Sequence, residues 1–218
     1  MPQPILLVVN GELPPAAALR KLRTKSASVV STDGAAEELF AHQIIPEVII
    51  GDLDSLSPKM RAELECRSKI IEKPSQYATD FEKALDYIEG KGKRRVQIVG
   101  LKGKRFDHQL TNVSILLQNA SRFDFELYDD DGYGKVISGP DALWRQKLSA
   151  GTVVSLLPLN QCAGVTTSGL RYPLNSDTLQ FGLRNGQSNV SLGNGEVSIE
   201  IQSGTLIVYV LHRHWWRD

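Results

Sequence analysis

The chain has 218 residues, of which 41% are hydrophobic and 23% charged, the composition of a globular protein long enough for one large domain or two small ones. Lysine plus arginine and aspartate plus glutamate each total 25, so the formal net charge is zero. That balance argues against nucleic acid or an anionic membrane as the partner, because both attract a strongly basic surface.

The cysteines and the apolar runs predict the cellular location of the protein. Cys66 and Cys162 lie far apart without metal-ligand spacing, so we interpret them as free thiols in a reducing compartment. The first apolar run, residues 5–9, has no basic segment before it and no small-residue cleavage site after it. No other apolar run approaches the length that spans a membrane. We therefore expect a cytoplasmic protein without a membrane segment.

Short apolar runs alternate with helix-like segments up to about residue 131. The predicted strands are residues 5–9, 27–32, 47–50, 69–72, 96–100 and 123–128. Between them, helical spacing is found for Phe81, Leu85 and Ile88, and again for Leu110, Val113 and Leu117. This alternation predicts an α/β fold in which a mostly parallel sheet carries helices on both faces, in a Rossmann-like arrangement.

The pattern changes after the acidic run at residues 129–131. Helical periodicity ends, and short strands are predicted at residues 152–157, 178–181, 197–201 and 205–211. In the third of these, Val197, Ile199 and Ile201 alternate with polar residues, which is typical of a half-buried strand. We therefore predict an α/β domain at residues 1–131 followed by a small antiparallel β-sandwich or barrel at residues 132–218.

Residues 48–55, Val-Ile-Ile-Gly-Asp-Leu-Asp-Ser, form the most informative motif of the chain. In an extended segment, the side chains of Asp52 and Asp54 would lie on one side, with roots about 7 Å apart. Two carboxylates held at that spacing repel each other unless a cation lies between them. Mg²⁺ accepts such oxygen ligands and keeps further positions for water and substrate phosphates. The motif therefore predicts metal-assisted phosphate chemistry.

Further polar residues follow the ends of the other predicted strands. In an open α/β sheet, the carboxyl ends of parallel strands meet at one edge, where ligands bind. We expect segments distant in sequence to converge there, with an ammonium and a guanidinium to offset triphosphate charge. The residues concerned are Asp33, Asp52 with Asp54, Asp80, and the group Lys102, Arg105, Asp107 and His108.

Several of these residues also fit structural roles. Asp33 and Asp107 suit the cap of a helix, and Thr79 with Glu82 fits a capping box around Asp80. His108 and Asn112, four residues apart, would share a helix face, where a structural hydrogen bond is as reasonable as a ligand contact. Helix capping and metal binding are compatible, so these alternatives do not exclude a site.

Taken together, the motifs resemble those of the thiamine pyrophosphokinase family, in the family's order and over nearly the whole chain. The matching segments are Asp33-Gly34-Ala35-Ala36, Gly51-Asp52-Leu53-Asp54-Ser55, Gln76 with residues 79–85, residues 100–112, residues 169–174 and Gln187-Ser188-Asn189. The resemblance implies transfer of the pyrophosphoryl group of ATP to the hydroxyethyl oxygen of thiamine, which gives thiamine diphosphate and AMP. It also implies a homodimer, in which the α/β domain binds ATP and Mg²⁺ and the β-sandwich domain serves thiamine binding and dimerisation.

The resemblance also implies roles for single residues. Asp33, Asp52, Asp54 and Asp80 match the acidic Mg²⁺ positions, and the last three are the catalytic candidates. Either Asp54 or Asp80 could accept the proton of the attacking alcohol. The matching nucleotide-binding residues are Arg105, Asp107, His108 and Asn112, and those expected to face thiamine are Gln76, Ser188 and Asn189. Lys102 is expected to bind nucleotide as well, because its charge lies at the same edge of the sheet.

The chain departs from the family pattern at a few positions. Where members commonly have Asp-Gly-Gly-Ala-Asn, this chain has Ala35 and Glu37, and where they have Gly-Gly-Arg it has Gly103-Lys104-Arg105. Tyr77 stands where an acidic residue is frequent. Lys104 adds a positive charge at a turn expected to face phosphate.

Three other functions are compatible with parts of the pattern. An aspartyl phosphatase would use the first aspartate of Asp52-x-Asp54 as nucleophile, but would need a motif near the first strand and a later lysine and acidic pair. A pyrophosphokinase for another small alcohol, such as a pterin, would share every phosphate-binding feature. A non-catalytic thiamine or nucleotide sensor would have no need for the clustered carboxylates.

Overall fold

The computed structural model describes residues 2–75, 77–193, 195–212 and 215. Gln76, one of the residues predicted to face thiamine, lies outside them. The chain divides into two compact units: residues up to 115 with 128–130 belong to the first, and residues 116–127 with 131–215 to the second. Among the described residues, no helix has the length and apolar character needed to cross a membrane.

The first unit alternates strands and helices, as predicted. Its strands are β1 Ile5–Val8, β2 Ser28–Thr32, β3 Val48–Gly51, β4 Lys69–Glu72 and β5 Arg95–Val99. Its helices are α1 Ala16–Lys25, α2 Asp33–Ala41, α3 Pro58–Glu65, α4 Asp80–Gly90 and α5 Phe106–Asn119, the last of which continues into the second unit. Each strand lies within one residue of its predicted bounds, because each is a short apolar run flanked by polar residues.

The five strands form a parallel sheet in the order β4-β3-β2-β1-β5. From β1 to β4 the chain moves in one direction along the sheet, and it then returns to place β5 on the other side of β1. Because such crossovers are right-handed, α1 to α3 cover one face and α4 the other. Helices on both faces explain why β1 and β3 are buried along their whole length. The direction reverses between β1 and β5, and such switch points are where open α/β sheets bind ligands.

The second unit is all β apart from the end of α5. Its strands are β6 Asp124–Tyr128, β7 Gly132–Ser138, β8 Ala142–Lys147, β9 Val153–Pro158, β10 Cys162–Ser168, β11 Asp177–Leu179, β12 Gly186–Val190, β13 Glu196–Ile201 and β14 Thr205–Leu211. One sheet has the antiparallel order β12-β9-β14-β7, with β6 beside β7, and the other the antiparallel order β11-β10-β13-β8.

One apolar core joins the two sheets of this unit. Val154 and Leu206 of the first sheet belong to the same buried cluster as Val197 and Ile199 of the second. The predicted antiparallel sandwich is therefore confirmed. The predicted alternation in β13 is also confirmed, since Val197, Ile199 and Ile201 are buried while Glu196 and Glu200 are exposed.

Helix α5 carries an apolar stripe that faces solvent. Phe106, Leu110 and Val113 are 73%, 54% and 40% exposed, although their spacing is the one that a buried helix face would have. The helix predicted from Leu110, Val113 and Leu117 is therefore present, but two of these residues are not part of the core.

Candidate active site

A pocket of about 550 Å³ opens at the carboxyl ends of β1, β2 and β5, at the switch point of the parallel sheet. Its lining residues lie just after strands or at the starts of helices. Because these strands are neighbours in the sheet, loops that are distant in sequence come together here. Six of the predicted site residues line it: Asp33, Asp80, Arg105, Asp107, His108 and Asn112. Asn10, Thr32 and Thr111 line it as well and were not predicted. Lys104, whose charge was expected at a turn facing phosphate, also lines it.

Three carboxylates meet at this edge of the sheet. One oxygen each from Asp33, Asp52 and Asp80 lies within 4.8 Å of the others. Asp33 is almost fully buried at the start of α2, where its Oδ1 accepts the N–H of Gly34 at 2.7 Å and its Oδ2 accepts that of Leu53 at 3.0 Å. A Cβ atom at Gly51 would lie 2.4 Å from Cγ of Asp33, so only glycine fits at the end of β3. Gly51 therefore leaves room for the first carboxylate of the group.

The electrostatics of this group fit a divalent cation. Burial, then the charge of Asp80, and more weakly that of Asp52, raise the pKa of Asp33 to about 6, against the two hydrogen bonds from Gly34 and Leu53. A cation among the three oxygens would relieve that repulsion, and oxygen ligands of this kind suit Mg²⁺. The buried hydroxyl of Thr32, which lines the pocket, has no hydrogen-bond partner among the described residues. An unsatisfied buried polar atom beside the carboxylates is also expected at a site that receives a ligand.

Asp54 does not belong to this group of three. Strand β3 ends at Gly51, and Leu53 has a φ of 68°, so the chain between Asp52 and Asp54 is not extended. The expectation that these two side chains point to the same side was therefore wrong, because the strand geometry on which it depended stops before them. Asp54 is exposed: its N–H donates to Oδ1 of Asp52 at 3.4 Å, and its Oδ1 accepts the hydroxyl of Ser55 at 3.2 Å. Its role as a ligand or base stays a prediction.

The start of α4 fixes Asp80. The predicted capping box is confirmed, since Oγ1 of Thr79 accepts the N–H of Glu82 at 3.3 Å and Oε2 of Glu82 accepts the N–H of Thr79 at 2.8 Å. Asp80 is then in the first turn, where the helix dipole stabilises its charge. Lys83 is buried, and its ammonium donates to Oδ1 of Asp80 at 2.9 Å. Lys83 was not predicted, although its position three residues after Asp80 was a signal for this contact.

The segment from Lys102 to Asn112 supplies the basic side of the pocket. Arg105 binds Asp107 through two nitrogens, with Nε 3.0 Å from Oδ1 and Nη2 2.5 Å from Oδ2, and this pairing lowers the pKa of Asp107 to about 2. Asn112 ties α5 to the preceding loop through a 3.0 Å bond from Nδ2 to the carbonyl oxygen of Leu101. Lys102 is not among the residues that line the described pocket, and its ammonium lies 2.5 Å from Oδ1 of Asp130.

The two described residues predicted to face thiamine lie on β12, in the second unit. Asn189 is buried and bridges the backbone of Tyr172: its Oδ1 accepts the Tyr172 N–H at 3.0 Å, and its Nδ2 donates to the Tyr172 carbonyl at 2.6 Å. Ser188 is exposed, has a φ of 61°, and donates its N–H to Oγ of Ser155 at 3.0 Å. Asn189 thus has a structural role, and substrate contact by either residue stays a prediction.

Comparison with known proteins identifies the family. Residues 19–128 match the family model "Thiamin pyrophosphokinase, catalytic domain", and residues 144–206 match "Thiamin pyrophosphokinase, vitamin B1 binding domain". Thiamine pyrophosphokinase 2 of Oryza sativa subsp. japonica is 27% identical over an alignment of 211 residues, and the match covers 85% of this chain and 78% of that protein. The thiamine pyrophosphokinase of Bacillus subtilis (strain 168) is 26% identical over 157 residues, or 70% of this chain and 73% of that protein.

Solved structures agree in fold. The crystal structure of yeast thiamin pyrophosphokinase superimposes with a TM-score of 0.81 at 21% identity, over 96% of this chain and 86% of that one. The thiamin pyrophosphokinase of Geobacillus thermodenitrificans gives 0.79 at 24% identity, over 97% and 98%. Because the two family models match the two predicted parts of the chain in order, and the first alone spans half of it, the chain belongs to the thiamin pyrophosphokinase family.

Proposed function

We propose that the pocket of the first unit binds ATP together with Mg²⁺, and that pyrophosphoryl transfer to thiamine takes place there. The observation that carries this proposal is the gathering of Asp33, Asp52 and Asp80 within 4.8 Å of one another, beside a basic segment at the switch point of the sheet. The reaction class follows from family membership: the chain is an ATP-dependent thiamine pyrophosphokinase.

The chemistry that the protein must assist can be written as one displacement. The hydroxyethyl oxygen of thiamine forms a bond to the β-phosphorus of ATP, the bond from that phosphorus to the oxygen shared with the α-phosphate breaks, and AMP leaves with the electron pair. The alcohol proton passes to a base. Positioning and charge neutralisation are the main contributions that a protein makes to such a step.

Asp33, Asp52 and Asp80 would hold the metal ion. When bound, Mg²⁺ would neutralise phosphate charge that the carboxylates alone would repel. Arg105 would exchange Asp107 for phosphate oxygens, since both carboxylate and phosphate accept the two parallel N–H bonds of a guanidinium. His108 and Asn112, in the first two turns of α5, line the same pocket and would contact the nucleotide.

Two carboxylates remain candidates for the base that accepts the alcohol proton. Asp80 lies in the pocket, but its Oδ1 already accepts a hydrogen bond from Lys83. Asp54 is exposed, and its carboxylate accepts only the Ser55 hydroxyl among the hydrogen bonds described. Metal affinity distinguishes the possible roles. Substitution of a residue that serves only as the base should leave metal affinity unchanged, whereas substitution of a metal ligand should lower it.

For the second part of the chain, residues 132–218, we propose thiamine binding and dimerisation. The match of residues 144–206 to the vitamin B1 binding model supports the first role. Exposed apolar side chains support a homodimer, since such groups are typical of protein interfaces. Within residues 132–218 they include Phe181 and Leu183, before β12, which are 77% and 79% exposed. A cytoplasmic location is supported by the two free cysteines, exposed Cys66 and buried Cys162.

The reaction is tested by incubating the protein with ATP, Mg²⁺ and thiamine, then separating the products by chromatography. We expect equal amounts of AMP and thiamine diphosphate, and neither product when thiamine or the metal is omitted. A pterin alcohol offered in place of thiamine is the matched control for substrate identity. AMP release with that alcohol alone would favour a different pyrophosphokinase, and thiamine or ATP binding without AMP would favour a sensor.

A further inference from the structure

Lys104 has a backbone conformation that a lysine rarely adopts. It lies in the loop between β5 and α5 with a φ of 58°, directly after Gly103, whose φ is 88°. The left-handed region is unfavourable for a residue with a Cβ atom, so glycine is the usual choice there. Backbone outliers of this kind persist where the side chain or its surroundings compensate, and they concentrate at functional sites.

The side chain of Lys104 reaches two other elements at the pocket. Its ammonium lies 3.0 Å from Oδ1 of Asn10, in the loop after β1, and 3.3 Å from Oε2 of Glu38, on α2. Asn10 packs in turn against Gly34, since a Cβ atom there would lie 2.2 Å from its Nδ2. Lys104 therefore links the loops that follow β1 and β5 to the helix that begins with Asp33.

This ion pair does not account for the unfavourable backbone. The side chains of Lys104 and Glu38 are 43% and 36% exposed, and ion pairs open to water contribute little to stability. A role towards a ligand is a better explanation. Lys104 lines the pocket together with Arg105, and the contacts with Asn10 and Glu38 use two of its ammonium donors, whereas an ammonium has three.

We propose that Lys104 is a nucleotide-binding residue, whose ammonium binds a phosphate oxygen of ATP in place of the carboxylate of Glu38. Asn10 keeps the side chain directed across the pocket during this exchange. The polyphosphate of ATP carries more negative charge than the carboxylate of Glu38, so it attracts the Lys104 ammonium more strongly. The inference rests on the proposed function, because it requires that this pocket receives ATP.

The test compares three variants in direct binding of a non-hydrolysable ATP analogue with Mg²⁺, measured by calorimetry. Lys104→Gly suits the backbone and removes the ammonium, so we expect it to fold normally and to bind the analogue at least about tenfold more weakly, the size of one lost charged hydrogen bond. Lys104→Arg keeps the charge and should retain most of the affinity. In turnover, Lys104→Gly should raise the KM for ATP with little change in that for thiamine.

Glu38→Gln distinguishes a Lys104 that binds ATP from a Lys104 that only pairs with Glu38 to hold the loop. It weakens the resting partner of Lys104 without removing the ammonium, so analogue affinity should be equal to or higher than that of the wild type. Unchanged affinity in Lys104→Gly, or the same loss in Glu38→Gln, would overturn the proposal. Should wild-type protein bind the analogue but form no thiamine diphosphate, the proposed reaction fails while this binding comparison still decides the role of Lys104.

Discussion

The ammonium of Lys83 donates a 2.9 Å hydrogen bond to Oδ1 of Asp80, one turn earlier on α4. The side chain of Lys83 is only 6% exposed, whereas that of Asp80 is 29% exposed, so the lysine reaches the carboxylate from the protein interior. A buried ammonium needs a charged partner. Lys83 thus holds one oxygen of Asp80 in place, and it adds a fixed positive charge next to the group formed with Asp33 and Asp52.

Lys83→Met should destabilise the metal-free protein by about 1–3 kcal/mol, since Asp80 loses its partner and the three carboxylates repel one another more strongly. Mg²⁺ should recover part of this loss, because a bound cation supplies the missing positive charge. The measurement is urea unfolding with and without Mg²⁺. Lys59→Met, at an exposed position of α3, is the control. An equal loss of stability under both conditions would show that Lys83 acts only through packing.

The raised pKa of Asp33 predicts a dependence of stability on pH. Between its ordinary value of 3.8 and about 6, the folded protein binds more protons at this group than the unfolded chain does. The free energy of unfolding of the metal-free protein should therefore fall as the pH rises through this window. Asp33→Asn should flatten this part of the profile, as followed by thermal unfolding in a chelating buffer. A profile that stays the same in the variant would assign the titration to other groups.

The same pKa predicts how metal binding depends on pH. A divalent ion binds the ionised carboxylate, so protonation of Asp33 below about pH 6 should compete with it. Apparent Mg²⁺ affinity, measured calorimetrically, should be nearly constant above pH 7 and should fall by up to about tenfold per pH unit below 6. An affinity that did not change between pH 5 and 7 would exclude Asp33 as a ligand.

The elements of the fold differ in how clearly the sequence predicts them. Strands β1, β2, β3 and β5 were predictable because each is a short, largely apolar run that is buried along most of its length. The edge strand β4 is only partly buried, but its two isoleucines stand between polar residues and mark it equally well. Strand β12 was not predictable, because its residues, Gly186–Val190, show no apolar alternation, and it pairs with β9 across an irregular register.

Lys83 was missed as a site residue because the sequence does not show that its side chain is buried, although its spacing from Asp80 indicated the contact. For Lys104 the sequence indicated a charge at a turn facing phosphate, but not the left-handed backbone or the contacts with Asn10 and Glu38.

The two neighbours on β12 should respond differently to substitution. Asn189→Ala removes the bridge to both backbone groups of Tyr172 from a buried side chain, so it should lower the free energy of unfolding by about 1–3 kcal/mol, the size of two lost hydrogen bonds. Ser188→Ala keeps the backbone hydrogen bond to Ser155 and should leave stability unchanged. If Ser188 faces thiamine, this variant should raise the KM for thiamine and not that for ATP. Unchanged constants for both substrates would remove Ser188 from the binding site.

Asp54→Asn tests the remaining catalytic candidate. Asp54 is exposed and its side chain accepts only the hydroxyl of Ser55 among the described hydrogen bonds, so the fold should be retained. We expect turnover to be abolished, whereas Glu63→Gln, at an exposed position of α3, should be as active as the wild type. Near-normal activity in folded Asp54→Asn protein would refute its role.

Metal affinity then decides which role Asp54 has. If it is the base, the inactive variant should bind Mn²⁺ as tightly as the wild type, because Asp33, Asp52 and Asp80 remain. If it is a ligand that reaches the metal only when substrate is present, affinity should be normal without the ATP analogue and weaker with it. Electron paramagnetic resonance of bound Mn²⁺ in both states separates these outcomes. Since Asn keeps the shape of the side chain and removes its charge, either result assigns the lost activity to the carboxylate and not to the backbone around it.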